Sequence, residues 1–426
     1  MLKYFSTFTG VGSFEMALRN VGIEFELVGM SEVDKWALLA YDSIHNNQDI
    51  KIKIPSKDKI LEEIKEKNIL YNFSTNKSEI PRNLEKLQRV YIAHKRNKNW
   101  GDIRLIDETK LPDFDLFTYS FPCKNVSISG QQAGLIKNSG TQSSLLWECE
   151  RIIEYKNPSY LIMENVKNLV GKAHIKQLEL WIEILRKLGY NSYWKVLNGK
   201  DFRVSQNRER VMMVSIKKGL DNKGFEFPDK QKLNVRLKDL MQNGEYIDES
   251  LYIKRERYEH IIKNIPHQNY KGINKLIQVG NLDKKIHSNT RVYDEDGLCP
   301  TLNSMNGGNR QPKILLKSRT TIDDTQGFDK DADGNKIPRI YNDYSPSLIA
   351  TRNELKVLTN EFRVRKLTAL ECWRVMGFLA EDFYKAKDIG KLPNTKLYER
   401  AGRGIIVPML EDIFKQMIKF GYMGRI

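Results

Sequence analysis

Short apolar runs alternate with amphipathic segments along the first half of the chain, as far as about residue 219. An apolar run that ends at a turn predicts a buried strand, whereas apolar residues spaced three and four apart predict a helix. The runs of strand type are residues 2–9, 25–30, 114–119, 160–166, 193–197 and 211–216, and helical spacing is found in residues 143–155 and 174–188. Strands that alternate with helices in this way predict an open α/β sheet.

The pattern changes between residues 220 and 360, which are polar and contain short strand-like pieces separated by Gly, Asn and Asp turns. An imperfect repeat is visible there, because Arg291 and Arg339 each begin a strand-like piece that leads to a turn containing proline. Such a basic, loop-rich segment makes a poor core but a good recognition surface. Helical spacing returns in residues 367–376 and 405–420, which predicts that the chain re-enters its first domain.

Composition adds a strong positive charge to this picture. Lys and Arg outnumber Asp and Glu by 70 to 54, which gives a formal net charge of +16. This surplus predicts an anionic partner, nucleic acid first, although a Lys-rich surface from an AT-rich genome would give the same count.

The four cysteines form no C-x-x-C pair, so no metal site is predicted. Sparse cysteine, no signal peptide and no apolar stretch of membrane length predict a cytoplasmic protein without a membrane partner.

Two strand ends near the N-terminus carry residues suited to a cofactor. Gly10 and Gly12 lie between a strand and a helix, at the turn where α/β folds bring backbone N–H groups against a cofactor. The third glycine of a dinucleotide fingerprint is absent, so a nicotinamide enzyme is disfavoured, while a plain strand-to-helix turn remains an alternative. Glu32 follows the next strand, where a carboxylate can accept hydrogen bonds from ribose hydroxyls or can simply be solvated.

Two later strand ends carry a thiol and a carboxylate, Cys123 and Glu164. A lone cysteine is usually core filling, which is the prediction for Cys149 in its helix, but a nucleophile and an acid on neighbouring strand ends can act as a catalytic pair. Arg208 and Arg210 precede another buried strand. They could bind substrate or phosphate, or they could form an ion-paired surface turn.

Taken in order, these segments resemble the motifs of the cytosine-C5 DNA methyltransferase family over nearly the whole chain. Many motifs in the family's order make the resemblance specific, where any single one would not. The matching segments are Phe8 with Gly10 and Gly12, Ser31-Glu32-Val33-Asp34, Gly101-Asp102-Ile103, Phe121-Pro122-Cys123, Ser127-Ile128-Ser129-Gly130, Ser144-Leu145-Leu146-Trp147-Glu148, Met163-Glu164-Asn165-Val166, Gln206-Asn207-Arg208-Glu209-Arg210, and residues 365–378.

The resemblance implies a Rossmann-like sheet that binds S-adenosylmethionine, with a smaller, β-rich target-recognition domain. A catalytic and cofactor-binding domain would take residues 1–219, with a polar, Lys-rich, helix-prone insertion at about 46–100. The target-recognition domain would take residues 220–378, including the helix of the last matching segment. Residues 379–426 would return to the catalytic domain.

The resemblance also implies which residues carry the chemistry. Cys123 would add to C6 of cytosine, Glu164 would hold and protonate N3, and Arg210 would bind O2, with Arg208 as a further catalytic residue. The residues expected at the cofactor are Phe8, Gly10, Gly12, Ser13, Glu32, Val33, Asp102, Ile103, Pro122 and Leu145. The residues expected at DNA are Ser127, Ser129, Gln131, Arg291, Asn309 and Arg310.

We therefore expect a monomeric enzyme that methylates C5 of a cytosine flipped out of a specific double-stranded DNA sequence. A cognate restriction endonuclease is the expected partner system. An RNA cytosine-C5 methyltransferase and a catalytically inactive DNA-binding relative stay open as alternatives. The chain departs from the family pattern at Lys124, where glutamine is usual, at Ser13, where glycine is common, and at Arg403, where asparagine is usual.

Overall fold

The computed structural model describes two compact units. Described in full are residues 1–72, 77–122, 144–242, 247–263, 274–283, 287–305, 309–317 and 362–424, and residues 142–143, 321–330, 336–342 and 355–357 are described by their backbone. The first unit comprises Met1–Val235, Pro300–Arg310 and Ala369–Ile426, and the second comprises Arg236–Cys299 and Gln311–Thr368.

The first unit is built on a mixed sheet. Its strands are β1 (Leu2–Thr7), β2 (Phe25–Ser31), β3 (Tyr71–Asn72), β4 (Lys77–Ser78), β5 (Leu116–Tyr119), β6 (Tyr160–Val166), β7 (Tyr190–Asn198) and β8 (Glu209–Lys217). Six of them form one sheet in the order β2-β1-β5-β6-β8-β7, and β3 pairs with β4 separately. Strands β1, β2, β5 and β6 run parallel, whereas β8 is antiparallel to both neighbours. The carboxyl ends of the four parallel strands therefore meet at one edge.

All but one of the α-helices in the described part of the chain belong to the first unit, with this sheet, and the exception is the short seventh helix of the second unit. The α-helices of the described chain are α1 (Ser13–Asn20), α2 (Lys35–His45), α3 (Lys57–Glu66), α4 (Leu84–Arg96), α5 (Leu146–Lys156), α6 (Ile175–Lys187), α7 (Glu259–Ile262), α8 (Ala369–Val375), α9 (Ala380–Tyr384), α10 (Asn394–Arg403) and α11 (Val407–Lys419). Helix α11 packs against α1, and α4 packs against α2. Helices α3 and α4 lie within residues 46–100, the segment expected to be helix-prone, together with the short antiparallel pair β3 and β4.

The predicted α/β class is confirmed, and the strands owe their formation to apolar runs that face a common core. Strand β6 occupies the predicted residues 160–166. The rings of Phe5 and Phe117 stack with centroids 6.1 Å apart, so β1 and β5 share one aromatic layer. Cys149 is completely buried in the same core, as predicted from its helical spacing.

Helix α8 belongs to the first unit, whereas the predicted division placed residues 367–376 with the recognition domain. The physical reason is that α8 packs against α10, and the indole Nε1 of Trp373 donates a hydrogen bond of 2.9 Å to the carbonyl of Leu397. Trp373 is fully buried. Residues 300–310 also belong to the first unit.

The second unit is rich in strands, as the resemblance implies. Its strands are β9 (Gln278–Asn281), β10 (Arg291–Asp294), β11 (Lys313–Lys317), β12 (Thr321–Lys330), β13 (Lys336–Asn342), β14 (Leu355–Val357) and β15 (Phe362–Lys366). They form a sheet in the order β15-β11-β10-β9 and another in the order β13-β12-β14. The small core includes Tyr258, Ile261, Val292, Leu315 and Val364.

Among the helices in the described part of the chain, none is both long and apolar enough to span a lipid bilayer.

Candidate active site

A carboxylate at the carboxyl end of β6 is held from two sides. Glu164 is 6% exposed, and its Oε2 accepts a hydrogen bond of 2.5 Å from the hydroxyl of Ser120. Its Oε1 lies 2.9 Å from Nε of Arg210. Ser120 directly follows β5, and Arg210 lies at the start of β8, so three adjacent strands fix this one side chain. The structure thus brings together two of the expected site residues, Glu164 and Arg210.

The turn that leads to Cys123 is tied to the same strand end. The side-chain amide of Asn165 donates a hydrogen bond of 3.1 Å to the carbonyl of Phe121, and Asn165 is 2% exposed. Its Oδ1 accepts a hydrogen bond of 2.8 Å from the N–H of Val166. Pro122, expected near the cofactor, is partly exposed at the end of this turn.

Four of the expected site residues lie outside the described residues, and they belong to the catalytic turn and the loop after it. They are Cys123, Ser127, Ser129 and Gln131. The departure at Lys124 also lies there.

The glycine turn after β1 has the backbone conformation that only glycine adopts without strain. Gly10 and Gly12 have φ values of 62° and 79°. A Cβ on Gly12 would collide with the ring of His45, so this position also has no space for a side chain. Phe8, with a φ of 56°, donates its N–H to the carbonyl of Ser31 at 2.9 Å, which joins the ends of β1 and β2. The bare backbone of this turn can approach a ligand closely.

Glu32 joins the two strand ends through its carboxylate. Its Oε2 accepts a hydrogen bond of 2.9 Å from the N–H of Gly10, and its Oε1 accepts hydrogen bonds from the N–H groups of Val33 and Asp34 at 2.8 and 2.9 Å. Burial and the neighbouring Asp34 carboxylate raise the pKa of Glu32, against the N–H groups that bind it. A carboxylate can accept about four hydrogen bonds, and these N–H groups supply three, so Oε2 can accept a further hydrogen bond from a ligand hydroxyl.

Ser13 gives a structural reason for one departure from the family pattern. It is the first residue of α1 and is 4% exposed. Its Oγ accepts a hydrogen bond of 3.2 Å from the N–H of Ile405, in the segment between α10 and α11. A glycine could not make this contact, so here Ser13 fastens the glycine turn to the C-terminal segment.

Asp102 lies near the edge of the sheet, but its carboxylate is occupied by neighbouring side chains. Nη2 of Arg104 lies 2.5 Å from Oδ2, and the amide of Asn68 donates to the same oxygen at 2.7 Å. Asp102 is 1% exposed, and Ile103 and Leu145 are buried in the hydrophobic core. All three side chains therefore make contacts within the protein itself.

The guanidinium of Arg208, which is expected among the catalytic residues, binds backbone carbonyls. Its Nη1 donates a hydrogen bond of 2.7 Å to the carbonyl of Leu302, and its Nη2 donates hydrogen bonds of 3.0 Å to the carbonyls of Gly402 and Gly404. Arg208 is 3% exposed. Its charge is thus directed at backbone carbonyls within the first unit, where it joins three distant stretches of chain.

The expected DNA contacts outside the loop lie in both units. Arg291 begins β10 and is partly buried in the second unit, whereas Asn309 and Arg310 are exposed in the first.

The sequence patterns did not indicate a role for Ser120. Asn165 belongs to a matching segment, but no role was predicted for it either. Ser120 directly follows a strand that runs parallel to β6, and such positions face each other at the edge of a sheet. A polar residue directly after one strand and a carboxylate near the end of the neighbouring parallel strand were the signal that could have found this contact.

Comparisons with known proteins show what this chain is similar to. A family model for the C-5 cytosine-specific DNA methylase matches residues 76–419. The type II methyltransferase M2.ScrFI of Lactococcus lactis subsp. cremoris is 37% identical, over 98% of this chain and 99% of the relative. The orphan methyltransferase M.SPBetaI of Bacillus phage SPbeta is 28% identical, over 98% of this chain and 97% of the relative. The solved structure of the S. pombe Dnmt2 methyltransferase shares the fold, with a TM-score of 0.55 and 13% identity over 99% of each chain.

The matched region contains the carboxylate of Glu164 and the arginine that holds it. The resemblance that the motifs predict is confirmed, and the enzyme must be supplied with a methyl donor. The chain belongs to the C-5 cytosine-specific DNA methylase family, and it is a DNA cytosine-C5 methyltransferase.

Proposed function

We propose that the enzyme transfers a methyl group from S-adenosylmethionine to C5 of a cytosine that is flipped out of a specific duplex DNA sequence. The observation that carries this proposal is the carboxylate of Glu164, fixed between Ser120 and Arg210. It lies at the end of β6, beside the strand that leads to Cys123. An acid in one orientation next to a nucleophile is what a covalent addition to cytosine requires.

Cys123 is proposed as the nucleophile because C5 of cytosine is too weak a nucleophile to take a methyl group unaided. The thiolate forms a bond to C6, and the electron pair of the C5–C6 double bond becomes available at C5. After methylation, a base takes the proton from C5, the electron pair of that C–H bond re-forms the C5–C6 double bond, the thiolate leaves C6, and the proton on N3 returns to Glu164. Lys124 and Arg210 would lower the pKa of the thiol, since neighbouring cations favour the thiolate.

Glu164 is proposed to hold and protonate N3, where negative charge develops when the thiolate adds to the ring. Arg210 would bind O2 of the base and keep Glu164 in place. Arg208 would act through the backbone, since its guanidinium binds carbonyls of three other residues. We therefore propose a positioning role for Arg208.

The methyl donor would be held at the carboxyl ends of β1 and β2. S-adenosylmethionine supplies an electrophilic methyl group at its sulfonium. The donor would contact the backbone of Gly10 and Gly12, where no side chain stands in the way. Oε2 of Glu32 would accept a hydrogen bond from a ribose hydroxyl of the donor. The other residues proposed around it are Phe8, Ser13, Val33, Pro122 and Leu145, with Asp102 and Ile103 as support.

Duplex DNA would be bound through its phosphates and read by its base edges. Ser127, Ser129 and Gln131 would close on the extruded cytosine, which cannot be reached inside the stack. Arg291, Asn309 and Arg310 would contact the DNA outside the flipped base. Because the net charge is +16, binding should weaken steeply as salt rises.

We propose that the enzyme acts as a monomer in the cytoplasm. One relative is named a type II methyltransferase and another an orphan methyltransferase. The first name supports a role in which the enzyme protects DNA from a cognate endonuclease. The second supports a role in which the enzyme methylates DNA without a partner nuclease. Digestion of host DNA by extracts from the native strain would separate these two roles.

The test is to express the enzyme in a host without cytosine methylation and to sequence the host DNA after bisulfite treatment. Protected cytosines in one recurring sequence context are the expected result. The Cys123→Ser variant should bind the same duplex and leave no protected cytosines. Wild-type-like protection by that variant would refute the assigned nucleophile, and protection of tRNA in place of DNA would refute the proposed substrate.

A further inference from the structure

A carboxylate three residues after β2 is bound by two arginines from α10. Oδ2 of Asp34 lies 2.9 Å from Nη2 of Arg400 and 3.3 Å from Nη1 of Arg403. Its other oxygen caps α2, because Oδ1 accepts hydrogen bonds from the N–H groups of Trp36 and Ala37 at 2.8 and 3.3 Å. One carboxylate therefore connects the start of α2 to the end of α10.

A second carboxylate binds the same two arginines. Oε1 of Glu399 lies 3.0 Å from Nη2 of Arg400 and 2.6 Å from Nη2 of Arg403, and Oε2 lies 2.7 Å from Nζ of Lys396. We call these five residues, Asp34, Lys396, Glu399, Arg400 and Arg403, the charge cluster. The arginines bridge the two carboxylates, so the cluster has a defined geometry.

The burial of the cluster separates it from ordinary surface ion pairs. The side chains of Glu399 and Arg400 are 2% and 3% exposed, and that of Asp34 is 27% exposed. Although burial acts to raise the pKa of Asp34, Arg400 and Arg403 outweigh it and hold the pKa well below its usual range. Asp34 is thus charged at any working pH. The inner pair of Glu399 and Arg400 is out of water and is therefore weakened little by salt.

The charge cluster is connected to the predicted donor site both through the backbone and through hydrogen bonds. Asp34 is two residues from Glu32, and its N–H donates a hydrogen bond of 2.9 Å to Oε1 of Glu32. The other oxygen of Glu32 accepts from the N–H of Gly10. Contacts therefore run without interruption from Arg403 through Asp34 and Glu32 to the glycine turn.

We propose that Arg403 is a positioning residue for the methyl donor, because it fixes the turn Glu32–Asp34 in the orientation that receives the donor. This inference rests on the proposed binding of S-adenosylmethionine at Glu32 and the glycine turn. Arg403 is the member of the cluster suited to a test. Its side chain is 47% exposed, whereas Arg400 is buried and its removal would leave Asp34 and Glu399 without their inner partner.

Removal of Arg403 leaves Asp34 paired with Arg400, so the fold is retained while the turn becomes less restrained. The donor then has to order the turn when it binds, which weakens donor binding by about tenfold. The chemical step is unaffected once the donor is bound, because within the described residues Arg403 forms its ion pairs with Asp34 and Glu399, away from Glu164. Lysine can pair with only one of the two carboxylates, so Arg403→Lys should fall between the wild type and Arg403→Ala.

The experiment compares the wild type, Arg403→Ala, Arg403→Lys and a control, Arg203→Ala. Arg203 also bridges two carboxylates, with Nη2 3.1 Å from Glu411 and Nη1 2.8 Å from Asp412, and its side chain is 35% exposed. It contacts neither β2 nor the glycine turn in the described residues. For each protein, the Kd for S-adenosylmethionine is measured by calorimetry, and KM for the donor, kcat and Tm are measured with duplex DNA.

For Arg403→Ala, we expect the Kd and the KM for the donor to rise about tenfold, while kcat stays within about twofold of the wild-type value. For Arg203→Ala, we expect Kd, KM and kcat to be unchanged. A lower Tm or kcat at unchanged donor Kd would show a merely structural role and overturn the inference. So would equal effects in Arg403→Ala and Arg203→Ala. A wild type that binds the donor but methylates no DNA refutes the proposed function alone, and the Kd comparison still decides the inference. A wild type that binds no donor overturns both.

Discussion

Glu164 and Arg210 are diagonal neighbours across the antiparallel pair β6 and β8. Val166 lies opposite Arg210 and Glu164 lies opposite Met212, so both side chains project from the same face of the sheet. At this spacing long side chains meet, and Nε of Arg210 lies 2.9 Å from Oε1 of Glu164. The carboxylate is oriented by the sheet itself before any base arrives.

Glu164→Gln should lower the rate of methyl transfer by about 10²- to 10⁴-fold, because an amide cannot protonate N3 of the base. The amide has the shape of the carboxyl group and retains an oxygen for the hydroxyl of Ser120. DNA affinity should therefore change little. Single-turnover methyl transfer and a DNA-binding titration measure the two effects.

The matched control is Ser120→Ala, which removes the hydrogen bond to Glu164 but leaves the acid in place. We expect a loss of about tenfold or less, equivalent to about 1 kcal/mol. A Glu164→Gln enzyme within tenfold of the wild-type rate would contradict the assigned acid.

Arg208→Ala should lower the free energy of unfolding by about 3 kcal/mol, because a buried charge that binds three backbone carbonyls is lost. Arg208→Lys should be nearly as unstable, since an ammonium cannot span carbonyls from Leu302 and from Gly402 and Gly404. Urea unfolding measures the loss. Full stability with loss of kcat would instead restore Arg208 to a catalytic role.

Gly12→Ala should be destabilising for two reasons that a second variant can separate. Gly12 and Gly22 have similar φ values, 79° and 75°, so alanine at either position introduces backbone strain of about 1 kcal/mol. An added Cβ meets the His45 ring at Gly12, whereas it meets no atom within 4 Å at Gly22. We expect Gly12→Ala to be the less stable variant and to raise KM for the methyl donor, while Gly22→Ala leaves that KM unchanged. Equal donor KM values would argue against the glycine turn as the donor site.

The sequence predicts those features that depend on neighbouring residues. Strand β6 has its predicted bounds, because the four apolar residues 160–163 mark a buried strand that continues through Glu164 and Asn165 to Val166. The burial of Cys149 followed from helical spacing in the same way. The carboxylate of Glu164 could be placed at the sheet edge because it lies near the end of such a run.

Features that depend on distant residues could not be predicted. Arg208 and Arg210 belong to one five-residue motif, yet one binds carbonyls 94 and more residues away and the other binds Glu164. Local pattern cannot distinguish two arginines whose partners come from other parts of the chain. The insertion of β8 between β6 and β7 is likewise a property of pairing, which the alternation of elements leaves open.

Stability should depend on pH through Glu15, a buried carboxyl in the first turn of α1 that is 1% exposed. Burial raises its pKa from 4.5 to about 7, against the lowering effect of its own backbone N–H and of the hydroxyls of Tyr41 and Tyr4. The folded state therefore holds a proton that the unfolded state has released between these values. The contribution of Glu15 is greatest below about pH 4.5 and falls by about 3 kcal/mol as the pH rises through about 7.

His45 changes the free energy of unfolding with pH in the opposite direction, so the experiment must isolate the contribution of Glu15. Burial and the neighbouring Arg19 lower the pKa of His45 from 6.5 to about 3, and its contribution is lost as the pH falls below 6.5. The difference in unfolding free energy between the wild type and Glu15→Gln removes the His45 term, because both proteins carry that histidine. Measured by urea unfolding at several values from pH 5 to pH 8, this difference should shift in favour of Glu15→Gln as the pH rises. A difference independent of pH would mean that Glu15 titrates near its ordinary value, and that the base of the glycine turn is hydrated in solution.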